Sequence, residues 1–176
     1  MGGLIAALGR FYMQFVNVVR RLLDKTLFSI CIVIMVTLVI DVSWQVISRY
    51  ALGSPSTFTD ETARFLMVWM TFLGGAYMFG CDGHLSVTSL RDRLPSGVKN
   101  FVVVLTYVLI TAFAVLVMFY GSQRLISRTI SQPSPSLGIP MGIFYSILPI
   151  SAVCIVIYMV LNLIEFFLGG TAKQKE

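Results

Sequence analysis

The residues able to do chemistry are few and stand at the edges of apolar runs. There is one histidine, His84, so a bis-imidazole haem site is out of reach. No second histidine or paired cysteine is spaced for zinc. Cys31, Cys81 and Cys154 are odd in number, form no CxxC and include two inside apolar runs, which predicts buried thiols and no disulfide framework. Neither a G-x-S-x-G elbow, a Walker A loop nor a glycine-rich dinucleotide fingerprint is present. The adjacent acids Asp60 and Glu61 point apart on a helix, the wrong geometry for an acid–base pair. The chain is therefore read as a non-enzyme, with no cofactor and no metal site of its own.

What remains is a set of ions at span mouths. Glu61 and Arg64 are three apart, so on a helix they share a face. Asp41, Gln45 and Arg49 recur every four residues and line another face. Two readings of Asp41 stand: a proton or cation site, or an acid near the interface that pairs with Arg49, Arg64 or water. His84 likewise either contacts lipid headgroups or caps backbone in a loop, or handles protons.

The elements that must position these residues are membrane helices. Of 176 residues, 57% are hydrophobic and 12% charged, where a soluble domain carries about 25% charged residues. The mean hydropathy is +0.86. That apolar surplus needs lipid or a partner. Basic residues cluster at span ends rather than in a stripe with interleaved aromatics, which argues against nucleic acid and for a phospholipid surface.

In order, Leu4, Leu8, Phe11, Phe15, Val18 and Leu22 recur at helical spacing, opposite Arg10, Gln14, Asn17, Arg21 and Asp24. This predicts an amphipathic arm over 1–26, lying in the interface plane or forming a seam with a partner helix. A transmembrane domain over 27–168 follows, with spans at about 27–47, 62–80, 101–120 and 142–167, each near the ~20 residues a bilayer needs. In the second span, Gly74 and Gly75 are small enough to admit a neighbouring helix, and the Trp69 indole N–H needs a partner. The third helix can continue through Arg124 and Arg128. Pro133, Pro135 and Pro140 exclude regular helix after it, and Pro149 predicts a kink between 145 and 149. Glu165 ends the fourth span and is expected to reach the interface. Residues 169–176 read as a polar tail. Four spans place both termini on one side, and that side collects nine basic residues against four, so both termini are expected in the cytoplasm.

The ordered features resemble the DctQ-like small membrane subunit of tripartite ATP-independent periplasmic (TRAP) transporters. The resemblance covers about 27–167. It rests on Arg49-Tyr50, Pro55, Glu61, Arg64, Trp69, Gly74, His84, Leu90 and Pro95, then on Leu137-Gly-Ile-Pro140, Tyr145 and Pro149. There are departures: Phe58 stands where many members carry tryptophan, Asp60-Glu61 replaces a Glu-Glu pair, and the Leu-Ser-Val-Thr after His84 lacks an acid often found there. The resemblance implies an all-α protein of the bacterial inner membrane. It implies a large multi-span partner that carries substrate and sodium by an elevator movement, and a periplasmic binding protein that delivers a carboxylate such as sialic acid or a C4-dicarboxylate. Within such an assembly the small subunit braces the large one and helps dock the binding protein. Asp41, Arg49, Glu61, Arg64, Trp69, Gly74 and His84 are then candidate scaffold contacts, and Arg124 and Arg128 candidate docking residues. The rival readings are a self-assembling proton-coupled exporter built on Asp41, and a membrane adaptor unrelated to transport.

Overall fold

The computed structural model describes residues 2–54, 56–80 and 96–169, with side chains described for 14, 16–54, 56–80 and 101–165. His84, Cys81, Arg91, Arg93 and the tail beyond 169 lie outside the described residues. The described chain is helical, with no β-strand beyond an isolated bridge between Pro133 and Pro140.

Helix α1 runs unbroken over Gly2–Tyr50, 49 residues. At about 1.5 Å per residue it is roughly 73 Å long, more than twice the apolar depth of a bilayer. The expected arm and first span are thus one continuous rod, with no break at residue 26. Gly53, at φ 63°, helps stop it, and the Ser54 N–H reaches back to the Ser48 carbonyl (3.2 Å).

Helix α2 (Thr57–Gly80) begins where Ser56 accepts the Thr59 N–H on its hydroxyl (3.4 Å), with Asp60 in the first turn on the favourable side of the helix dipole. Helix α3 (Ser96–Phe113) passes into a π-helical segment (Ala114–Gly121) and then α4 (Ser122–Thr129), so the third helix does run through Arg124 and Arg128. Helices α5 (Met141–Tyr145) and α6 (Ile147–Gly169) are separated at Ser146. This is the break that Pro149 predicts, since proline removes the hydrogen bond that would reach the Tyr145 carbonyl.

Among the described residues, three helical stretches are long and apolar enough to cross a membrane: Val16–Tyr50, Phe101–Thr129 and Met141–Glu165. Helix α2, expected as a fourth span, has the length but is diluted by Arg64, Thr71, Gly74 and Gly75, and falls outside this set.

Helices α2 and α6 lie at the centre. The core takes Leu27, Cys31 and Ile34 from α1, Leu73 and Ala76 from α2, Ala114 and Met118 from the π segment, and Ala152, Ile155, Tyr158 and Met159 from α6. Spacings of three and four put each set on one helix face. Cys31 and Cys154 are free thiols. Lipid tails are as apolar as leucine, so close fit rather than water exclusion must hold such helices together. The fit does not fall at Gly74 and Gly75, as expected, because a Cβ at either would meet nothing within 4 Å. It falls at Gly80, where a Cβ would lie 2.2 Å from the Tyr158 ring, and at Gly142, where it would lie 3.0 Å from the Ile130 Cα. Outward, α1 exposes Phe28, Val33, Ile40 and Trp44, each half or more accessible.

Candidate functional site

Glu61 sits in the first turns of α2 and is only 8% exposed. Its carboxylate turns away from Arg64 and enters the loop between α4 and α5. The Ser134 hydroxyl donates to Oε1 (2.6 Å), and the Ser136 and Leu137 N–H groups donate to Oε2 (2.8 and 3.2 Å). The loop is shaped to receive it. Prolines stop the helix, the Ser134 N–H bonds the Ile139 carbonyl (2.9 Å), the Met141 N–H bonds the Gln132 carbonyl (2.9 Å), and Gly138 takes φ 67°. Successive N–H groups aimed at one point make a cradle for an anion, and here the anion is part of the chain. The Ser134 hydroxyl most of all, with the Ser136 and Leu137 N–H groups, holds the Glu61 carboxyl below the usual glutamate range, against the opposing effect of burial.

Arg64, which shares a helix face with Glu61 by its spacing, does not bond it. The guanidinium instead bonds Asp60, one turn back, at 3.1 Å, and both side chains are mostly exposed. Asp60 also accepts the Gln45 amide (3.0 Å), tying the end of α1 to the start of α2. Of the face formed by Asp41, Gln45 and Arg49, it is Gln45 that makes this link between the helices. Arg49 lines, with Gln45, Thr57, Asp60, Arg64 and Ser136, an open polar cleft of about 420 Å³.

The Trp69 indole N–H donates to the Phe144 carbonyl (3.1 Å), and Phe65 stacks on Phe144 with ring centroids 3.6 Å apart. These contacts fix α5 on α2. Arg124 and Arg128 are exposed on α4, one turn apart, near the same end of the bundle. Residues that belonged to separate stretches of sequence thus meet: Glu61 enters the loop that carries Leu137-Gly-Ile-Pro140.

The opposite end holds a second polar cluster that sequence reasoning missed. Arg20 bonds Glu165 (3.1 Å) and the Asn162 amide oxygen. Asn162 donates to the Phe79 carbonyl (3.3 Å), and the Tyr158 hydroxyl donates to Asp24 (2.6 Å). Glu165, at the end of the fourth expected span, is bonded by Arg20 of α1. The signal was present: Arg20 and Asp24 are four apart, and Tyr158, Asn162 and Glu165 follow at four and three, so each set shares a face. Among the described residues, no group of three His, Cys, Asp or Glu side chains could hold a metal ion.

The family model for the DctQ component of tripartite ATP-independent periplasmic transporters matches residues 38–169. The chain belongs to this family. Its match runs from the end of α1 through the Glu61 cradle to α6, and leaves out Arg20 and Asp24. A TRAP transporter small permease protein of Haemophilus influenzae is 28% identical over 86% of this chain and 95% of its own length. The sialic acid TRAP transporter small permease protein SiaQ of Vibrio cholerae is 27% identical over 72% of this chain and 78% of its own. The isethionate TRAP transporter permease protein DctMQ of Oleidesulfovibrio alaskensis is 26% identical over 66% of this chain, which covers only 20% of that longer protein. As a DctQ component the chain is a membrane-transport protein of the small permease type.

Proposed function

We propose that this chain braces the large membrane subunit of a TRAP transporter and helps dock the periplasmic binding protein for carboxylate uptake. The observation that carries this reading is the division of polar groups. Arg49, Asp60, Arg64 and the Glu61 cradle gather at one end, Arg20, Asp24, Asn162 and Glu165 at the other, and the core between is apolar. A carrier site needs polar groups near the bilayer midplane, often on broken helices. A brace needs an outward apolar surface and fixed ends. The length of the DctMQ relative agrees with a small-subunit segment working beside a much larger one. In this reading residues 62–80 of α2 form the fourth span, the unbroken α1 continues past the cytoplasmic face of the bacterial inner membrane, and both termini are cytoplasmic. Sodium is used by the large subunit. The substrate class is sialic acid or a C4-dicarboxylate, and the SiaQ relative favours the former.

Arg124 and Arg128 then face the binding protein from the outer end. Reversing both charges, Arg124→Glu with Arg128→Glu, is expected to slow sialic acid uptake by the reconstituted tripartite system. The deficit should shrink as salt is raised, because steering between charged surfaces is screened. Unchanged uptake at low salt would refute the docking role.

A further inference from the structure

One ionisable group of α1, a turn inward of Gln45, takes no part in the contacts of either polar end. Asp41 Oδ2 is buried and has no hydrogen-bond partner among the described residues. Nearby donors are committed elsewhere. Phe28 meets Tyr77 and Gln45 meets Asp60, so α1 and α2 run antiparallel in a register that puts Asp41 level with Arg64. Arg64, however, is turned to Asp60. The Gln45 amide also goes to Asp60. The Thr37 and Ser43 hydroxyls donate to the Val33 and Val39 carbonyls of their own helix (2.8 and 2.7 Å).

The position of Asp41 on its helix matters as much as its lack of a partner. Ile34 and Ser48, seven residues to either side, are buried. Thr37 and Trp44, four before and three after, are exposed. Asp41 therefore stands on the border between the face packed inward and the face turned outward. A carboxylate at this depth is costly unless a cation or a donor meets it, and such residues in membrane proteins pair with one another or mark a pathway.

We propose that the margin of α1 formed by Thr37, Asp41 and Trp44 receives a transmembrane helix of another polypeptide, and that this helix carries a basic side chain at the depth of Asp41. The inference rests on the small-subunit reading for the identity of that polypeptide, the large TRAP permease subunit. A second copy of this chain is the competing occupant, because its Arg64 would stand at the same depth. The permease is favoured because the DctMQ relative carries a segment similar to this chain within a much longer permease protein.

The test is co-purification of the large permease with the tagged chain in detergent, beside thermal unfolding of the chain alone. The wild-type chain should hold the permease. Asp41→Leu and Asp41→Asn should each lower the permease retained by roughly tenfold or more, since the partner's cation is left buried and unpaired. The lone Asp41→Leu chain should melt no lower than wild type, because an unpaired buried oxygen has been removed. Equal retention by Asp41→Leu overturns the contact. Equal retention by Asp41→Asn overturns a cationic partner. A lone Asp41→Leu chain that melts well below wild type shows an internal partner and overturns the proposal. An Asp41-dependent complex containing two copies of this chain and no permease assigns the margin to self-association and overturns it. If the wild-type chain holds no permease at all, the small-subunit reading fails first and takes the named partner with it.

Discussion

Gly80 offers the sharpest test of the packing. An added methyl there would lie 2.2, 2.5 and 2.8 Å from three carbons of the Tyr158 ring. Tyr158 is fully buried, and its hydroxyl bonds Asp24 across to α1, so the ring has little freedom to retreat. Overpacking of this kind costs ~1–3 kcal/mol. Displacing the ring also strains a hydrogen bond to a carboxylate, a class worth ~1.5–3 kcal/mol. Gly80 is the last residue of α2, so alanine recovers little of the propensity it would gain in a helix interior. The movements overlap, so a net loss of about 2–3 kcal/mol is expected for Gly80→Ala, a fall of roughly 4–12 °C in melting temperature for a chain of this size. The assay is thermal unfolding of the purified chain in detergent, with Gly74→Ala as the control. At Gly74 the methyl meets nothing within 4 Å, so the same substitution should be neutral or slightly stabilising in the lone chain. In a Tyr158→Ala background the Gly80→Ala cost should largely vanish, because the obstructing ring is gone. Equal melting of Gly80→Ala and wild type, or an undiminished cost in that background, would refute the close approach of α2 and α6.

The remaining predictions concern the two polar ends. Glu61→Gln replaces a carboxylate that accepts three hydrogen bonds with an amide that brings its own N–H groups to the same donors, so the 131–140 loop should exchange amide hydrogens faster, read by mass spectrometry. The Glu61 carboxyl titrates below its ordinary value in the fold, so its contribution is fully present above the unfolded-state pKa and is lost as pH falls through the folded one. Wild-type melting should therefore lose an acid-side increment that Glu61→Gln lacks, and parallel pH profiles for the two would count against the cradle. Arg64→Ala should change lone-chain stability by no more than about 0.5 kcal/mol, as exposed pairs one helical turn apart contribute little. Arg20→Ala should cost several times more, because Glu165 and Asn162 both lose a partner at a less exposed site; equal melting of the two variants would contradict this.

Much of the helical framework was legible because its causes are local. Apolar periodicity marks α1 and α3, proline marks both the loop after α4 and the break before α6, and the Trp69 N–H had to find an acceptor once it lay in a packed interface. The family was legible from the order of short motifs. Contacts between distant elements were not. Glu61 and Arg64 are compatible neighbours on a helix, and nothing local says that three donors from residues 134–137 will bid for the same carboxylate. Gly74-Gly75 and Gly80 are indistinguishable as small residues until the register between α2 and α6 is known, and that register decides which of them faces Tyr158. The π segment of Ala114–Gly121 is written in the same apolar residues as the helix around it, so composition cannot mark it.

The register itself has a physical origin in the polar ends. Leu, Ile and Val surfaces slide past one another at small cost, and in lipid they gain little by meeting each other rather than acyl chains. Hydrogen bonds to buried or half-buried charges have no such tolerance, since a shift of one helical turn leaves a carboxylate or guanidinium without its donor or acceptor. Gln45 with Asp60 fixes α1 against α2, Glu61 fixes α2 against the loop before α5, and Arg20 and Asp24 fix α1 against α6. With the Asn162 amide bonded to the Phe79 carbonyl, α2 is also joined to α6, and the joints among α1, α2 and α6 close a triangle, so none of these helices can slide without breaking contacts to both of the others. A unit locked in this way can keep an outer apolar face still while something beside it moves, which is the mechanical property a brace for a moving carrier must have.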